Sequence, residues 1–142
     1  MILGFKGFKP GLVATLGNGT FRYVPNELNE TEKAMCASTG FHYCLDPWDC
    51  LNWYTWNGKN EFWAVAAGGD VDEDGYGSRS SCTKLVPLRK LTAEEFLRTA
   101  IKGHFMSHMA GVKNWPENWE NGSASSFEIS RSLSALHSRL TA

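Results

Sequence analysis

The chain has 142 residues, of which 42% are hydrophobic and 13% aromatic, and a formal net charge of −1. This length suits a single domain that buries most of its apolar surface. The balanced, interspersed charge argues against nonspecific nucleic-acid binding, which needs a basic face, and no apolar run approaches the roughly 18 residues of a membrane span.

The first 33 residues predict short strands separated by turns. Phe5 and Phe8 flank Lys6 and Gly7, and the next residues, 9–11, contain Pro and Gly as a turn does. Apolar residues alternate again over residues 20–24, which predicts another strand. Residues 25–33 are polar and charged, so we interpret them as a loop.

The central block, residues 40–54, combines a strand with a helical turn. Residues 40–44 predict the strand, and Asp46 followed by Pro47 is typical of an N-cap and a first helical position. On the helix that follows, Trp48 and Leu51 are predicted to share the buried face, with Tyr54 or Trp56 as a further member. Residues 61–68 then predict a buried strand.

The rest of the chain is predicted to contain the last strand of the sheet, followed by helices. Residues 70–75 form an acidic turn, and residues 82–88 form a last strand, at an edge because Pro87 lacks an N–H for the ladder. Thr92 and Glu95 form a capping box for a helix to about residue 109, whose apolar face includes Leu97 and Ile101. A final helix is expected from about residue 125.

These elements predict the α+β class, with a small antiparallel or mixed β core and two C-terminal helices. We divide the chain into a β-rich domain at residues 1–98 and a helical extension at residues 99–142 that packs on it.

Several short motifs resemble a family of small uncharacterised phage and prophage proteins. They are Phe5-Lys6-Gly7-Phe8, Gly40-Phe41-His42-Tyr43-Cys44 with Pro47 and Asp49 after it, and Gly69-Asp70-Val71. Together with weaker matches they cover roughly residues 4–98. The resemblance implies a viral or prophage origin and supplies no catalytic residues.

The order of turn, strand, helix and buried strand also resembles the ADP-ribosyltransferase fold, particularly the small rifampin-modifying enzymes. That resemblance implies that Tyr43 or Tyr54 stacks on nicotinamide. It also implies that an acidic residue near the end of the buried strand, Asp70, Asp72 or Glu73, orients the ribose. The alternative function is therefore a divergent mono-ADP-ribosyltransferase with NAD as its cofactor.

One departure from the pattern of that fold counts against ADP-ribosyl transfer as the function of this chain. Such enzymes carry His or Arg before a small-residue turn on the first strand, where this chain has Lys6. Under the alternative, Lys6 and His42 would bind the cofactor. Lysine is a flexible point charge, a poor substitute for a group that must hold ribose hydroxyls.

The leading hypothesis is consequently a non-catalytic protein-binding protein without a cofactor. Its partner would be a host or phage protein, and its role would be either to counteract a bacterial defence system or to accompany the virion. Trp115 and Trp119 flank a Pro-containing segment and are the predicted partner-binding residues, because tryptophan is enriched at interface hot spots. The identity of the partner and the oligomeric state stay open.

No metal site is predicted. Cys36, His42, Cys44 and Cys50 lack a Cys-x-x-Cys spacing, and Ser81 stands where a calcium loop would close with Glu. Four cysteines are also too few for a secreted disulfide scaffold. No signal peptide is evident at the start of the chain, so we expect a reduced, cytoplasmic protein in an infected or lysogenic bacterial cell.

Overall fold

The computed structural model describes residues 1–15, 19–34, 39–73, 75 and 78–104. Within them the elements are β1 Ile2–Phe8, β2 Val13–Ala14, β3 Phe21–Arg22, β4 Asn29–Glu30, β5 Phe41–Cys44, a 3₁₀ helix Pro47–Asn52, β6 Glu61–Glu73, β7 Arg79–Lys90 and α1 Ala93–His104. Strands together with helices confirm the α+β prediction. The short β4 lies inside the segment that was predicted to be all loop.

Four strands close into a barrel-like ring. β1 pairs with β5 and β6, and β7 pairs with β5 and β6, so each of these strands has two neighbours. All of these pairings are antiparallel, one of the two arrangements that the prediction left open, and β4 adds to β7 outside the ring. β2 and β3 form a separate two-stranded sheet.

Alternation along the strands buries apolar side chains on both faces of this sheet. One core cluster joins the sheet to the 3₁₀ helix and α1, and its larger members are Leu3, Phe5, Tyr54, Phe62, Leu88 and Phe96. The other lies on the opposite face, with Phe8, Tyr23, Phe41, Tyr43, Trp63 and Leu85 among its members. Because both faces of the sheet are covered, the residues at the start of β6 form a nearly continuous apolar run.

The prediction that the strand around Pro87 lies at an edge was wrong. β7 has β6 on one side and β5 and β4 on the other. The ladder tolerates Pro87 because a register shift occurs there: Ala64 pairs with Arg89 but Val65 pairs with Pro87. A bulge is one of the few places in a sheet where a missing N–H costs little.

The prediction of an acidic turn at residues 70–75 was also wrong for most of that segment. β6 continues to Glu73, and Val71 pairs with Cys82 after a second register shift. Asp70 N donates to Thr83 Oγ1 at 2.9 Å within this irregular stretch. Pairing with a long neighbouring strand therefore overrides the low strand propensity of the acidic residues.

The helical turn at residues 47–52 has the predicted cap and a different buried face. Asp46 accepts a hydrogen bond from Trp48 N at 3.0 Å, which confirms it as N-cap. Because the turn is 3₁₀, with three residues per turn, Pro47 and Cys50 share the buried side. Trp48, predicted to be buried, is 48% exposed, and Trp56 is 44% exposed.

The capping box of α1 is confirmed. Thr92 N donates to Glu95 Oε1 at 3.0 Å, and Glu95 N donates to Thr92 Oγ1 at 3.2 Å. Its apolar face is narrower than predicted, since Ile101 is 67% exposed and Leu97 is 44% exposed. The predicted continuation to residue 109 and the final helix lie outside the described residues. No helix in the described part of the chain is long and apolar enough to span a membrane.

Thr99 provides a stability prediction on α1. It is fully buried, and its hydroxyl has no hydrogen-bond partner among the described residues. Valine has nearly the same shape without the hydroxyl, so Thr99→Val is expected to raise the free energy of unfolding by about 1 kcal/mol. Urea denaturation measures this change. A loss of stability would mean that the hydroxyl does have a partner.

Candidate functional site

A cleft opens where β1 and β5 separate. The two strands share a single residue pair, Phe5 with Cys44. Side chains and backbone of both strands line a cleft of about 530 Å³ that is open to solvent. We call it the Lys6 cleft, after the buried lysine in its lining.

Lys6 is an unusual side chain for a strand interior, because it is only 6% exposed. Its Nζ atom donates a hydrogen bond to the His42 carbonyl at 2.5 Å, which links the two strands beyond their last ladder pair. Nζ also lies 5.5 Å from the ring centroid of Phe8 and 5.3 Å from that of Tyr23, within cation–π range. Burial lowers the pKa of Lys6 from 10.5 to about 8, since the charged form loses its hydration.

A second cation reaches the cleft from the start of β7. The Arg79 guanidinium carbon lies 4.9 Å from the ring centroid of Trp53, which follows the 3₁₀ helix. Threonines at positions 20, 31 and 39 add polar groups, and none of the described lining residues is an aspartate or glutamate. The lining therefore combines positive charge, flat rings and hydroxyls.

The position of Arg79 depends on a network around Ser78. Asp49 accepts hydrogen bonds from Ser78 N at 2.8 Å and from Ser78 Oγ at 2.7 Å. Asp46 N donates to the same hydroxyl at 2.8 Å. These bonds join the 3₁₀ helix and its N-cap to Ser78, the residue just before β7, and so hold the backbone next to Arg79.

Asp49→Ala is expected to lower the free energy of unfolding by about 3 kcal/mol, because two hydrogen bonds to a carboxylate are lost. Urea denaturation measures the loss, with Glu32→Ala at an exposed position as the control. An Asp49→Ala protein as stable as the control would contradict this account of the Ser78 network.

Two tyrosines form part of the cleft wall, and glycines in β1 let them approach. A Cβ atom at Gly4 would lie 2.7 Å from Tyr43 Cδ2, and one at Gly7 would lie 2.7 Å from Tyr54 Cδ2. Any larger residue at either position would push a ring away. Burial raises the pKa of Tyr54, so its hydroxyl keeps its proton at neutral pH.

The structure brings together four of the residues that the sequence proposed for cofactor chemistry: Lys6, His42, Tyr43 and Tyr54 all line the cleft. Asp70 and Glu73 do not, since both lie exposed on β6 and neither is among the described lining residues. Trp115 and Trp119, the predicted partner-binding residues, lie outside the described residues.

Tyr23, Trp53 and Arg79 are among the residues of the site that were not singled out from the sequence. Tyr23 lies in the alternating segment that predicted a strand, so its burial could have been anticipated. Arg79 lies in a polar segment whose sequence pattern does not indicate a binding site. Only the pairing of β7 with β5 brings it to the cleft. Among the described residues, no group of three His, Cys, Asp or Glu side chains is placed to hold a metal ion.

Comparison with known proteins gives one match. Residues 2–99 match the model of a domain family of unknown function, DUF7666, and this region contains every described residue that lines the Lys6 cleft. No curated protein and no solved structure is significantly similar to the chain. Since the match covers most of the sequence, the chain belongs to the DUF7666 family.

Proposed function

We propose that the protein is a non-catalytic binding protein whose Lys6 cleft takes a small anionic ligand with a flat ring. The observation that carries this proposal is the buried Lys6 ammonium beside an open cleft without a described carboxylate. Buried charges are normally paired, because an unpaired one costs several kcal/mol. A ligand anion would supply the missing counter-charge.

The contacts of Lys6 support an anion as the bound group. One carbonyl and two ring faces stabilise the ammonium in part. The lowered pKa of Lys6, about 8, indicates that this stabilisation does not make up for burial. Arg79, held against Trp53, adds a second positive group in the same cleft. A phosphate or carboxylate beside either cation would be favoured in such a partly desolvated place.

The rest of the lining supports a ligand with a flat ring. Phe21, Phe41 and Trp53 present aromatic surface on which a ring can stack, and threonine hydroxyls can bind polar substituents. The cleft volume of about 530 Å³ lies within the usual range for small-molecule sites. Nucleotides combine these features and are therefore the first compounds to test.

NAD-dependent ADP-ribosyl transfer is the second candidate function. It is favoured by one observation, that the four residues expected at the cofactor, Lys6, His42, Tyr43 and Tyr54, line one cleft. The exposed positions of Asp70 and Glu73 count against it. Transfer passes through an oxocarbenium-like state and needs a carboxylate near the ribose.

The wider role of a phage or prophage product that binds a host or phage protein stays a prediction. It relied on a family resemblance, on the missing first-strand His or Arg, on the lack of a complete catalytic set and on the C-terminal tryptophans, and the cleft proposed here does not depend on it. Capture experiments with Trp115→Ala and Trp119→Ala variants address that role separately.

Calorimetric titration of the purified protein with NAD and with AMP tests the proposal. Saturable heat at micromolar to sub-millimolar concentration is expected for at least one of them. Lys6→Gln and Arg79→Gln should each weaken the affinity about tenfold or more, as loss of a charged hydrogen bond does. Lys84→Gln, at an exposed position on β7, is the matched control. No saturation with any anionic ring compound would overturn the proposal.

Release of nicotinamide separates the two candidates. A binding protein leaves NAD intact over hours, whereas a transferase releases nicotinamide and labels an acceptor. Release that disappears in a Tyr54→Leu variant, which lacks the stacking ring, or in a Glu73→Gln variant would favour the transferase over a non-catalytic binding protein.

A further inference from the structure

The surroundings of the Lys6 amine suggest reactivity as well as binding. The side chain is almost wholly buried, yet the residue lines a cleft that opens to solvent. The ionisable groups that act on it are the thiols of Cys44, Cys50 and Cys82, and the cleft also holds His42 and Arg79. None of these groups is a carboxylate that would keep the amine protonated.

The nearby thiols do not replace such a carboxylate. Burial raises the pKa of Cys82 to about 11, and a hydrogen bond with Cys50 together with burial raises the pKa of Cys44. Both therefore stay neutral near pH 7. With its pKa at about 8 instead of 10.5, Lys6 exists as the neutral amine on the order of 300 times more often than an ordinary lysine at pH 7.

We infer that Lys6 forms a reversible imine with an aldehyde-bearing ligand held in the Lys6 cleft. This inference rests on the proposal that the cleft admits small ligands. Desolvation in an apolar pocket is one of the known ways in which a protein activates a lysine as a nucleophile. The rings of Phe8 and Tyr23 beside Nζ provide that environment.

The reaction needs no other reagent. The nitrogen lone pair attacks the carbonyl carbon, a C–N bond forms, and a proton moves from nitrogen to oxygen to give a carbinolamine. The C–O bond then breaks, and the hydroxyl leaves as water with the remaining N–H proton. A C=N bond to Lys6 is left, and water reverses every step.

Reductive trapping tests the inference on the full chain. The probe is 4-formylbenzoate, an anionic aromatic aldehyde, together with cyanoborohydride, which converts the imine into a stable secondary amine. Peptide mapping is expected to find the carboxybenzyl group on Lys6 ahead of the exposed Lys59 and Lys84. The labelling rate at Lys6 should rise with pH and level off above about 8.

Two variants support the mapping. Lys6→Arg should lose the label at this position, because a guanidinium does not act as an amine nucleophile. Lys84→Arg should keep it. Mapping of the unaltered protein needs no variant and decides the question even if Lys6→Arg does not fold.

Titration with benzoate, which has the charge and ring but no aldehyde, separates the two proposals. Benzoate binding with labels only on exposed lysines overturns the inference and leaves the binding function standing. Label on Lys6 that benzoate competes away supports both. The absence of both benzoate binding and label at Lys6 overturns the inference, and the titrations with NAD and AMP then decide the binding function.

Discussion

Lys6→Met is expected to give a protein that is more stable than the original at pH 7 and no longer binds anionic ligands. Burial lowers the pKa of the Lys6 amine from 10.5 to about 8, so the charged form is disfavoured by on the order of 3 kcal/mol. Methionine is similarly long and unbranched, and it removes this cost while it gives up the hydrogen bond to His42. The net gain expected at pH 7 is about 2 kcal/mol.

The gain should depend on pH in a defined direction. Between about 8 and 10.5 the unfolded chain holds the Lys6 proton and the folded chain has released it. The free energy of unfolding of the original protein therefore rises with pH through this window relative to that of Lys6→Met. The advantage of the variant is full below pH 8 and is lost by about 10.5.

Urea denaturation at several pH values measures this difference, with Lys84→Met as the control for removing an exposed charge. The control should show neither the gain nor the change with pH. A Lys6→Met protein that is less stable than the original at pH 7 would show that the contacts of the ammonium outweigh its burial. Lys6 would then be a structural residue of the strand pair.

Gly40→Ala is expected to destabilise the fold by about 4 kcal/mol or more. Gly40 has a φ of +90°, a conformation that residues with a side chain avoid. A Cβ atom there would collide with Ser81 Oγ and lie 3.0 Å from both Ala34 Cα and the Cys82 carbonyl. Backbone on two sides cannot move away without separating β5 from β7.

Gly58→Ala isolates the conformational part of this effect. Gly58 has a φ of +76°, and no heavy atom of the described residues lies within 4 Å of the position of its Cβ. Its replacement should cost only about 1 kcal/mol of backbone strain. Thermal or urea denaturation of both variants gives the comparison. Equal losses at the two positions would contradict close packing at Gly40.

Features that depend on a few neighbouring residues were predictable from the sequence. The Asp46 N-cap, the strand at residues 41–44 and the capping box at Thr92 each rely on hydrogen bonds or alternation within a short segment. Lys6 and His42 could also be proposed as cofactor-binding residues from the sequence, because they lie in motifs that a family resemblance singled out. Their meeting across the β1–β5 gap required the fold.

Features that depend on distant partners were not predictable. β6 extends through Asp70 and Val71 because β7 lies beside it, and Pro87 is accommodated by a bulge rather than by an edge. The 3₁₀ turn exposes Trp48, although its apolar pattern would suit an α-helix. Arg79 belongs to the site only through strand pairing, which no short sequence window contains.

Closure of the strand ring also affects how the chain can fold as it leaves the ribosome. β1 is synthesised before β6, with which it pairs along its whole length, from Ile2 with Ala67 to Phe8 with Glu61. β5, its other neighbour, shares only one residue pair with it. β1 therefore cannot form its main pairing until residues 61–67 have been synthesised, and pairings this distant in sequence form slowly. Until then its apolar side chains are exposed to aggregation, so β1 is a segment that benefits from protection by a chaperone.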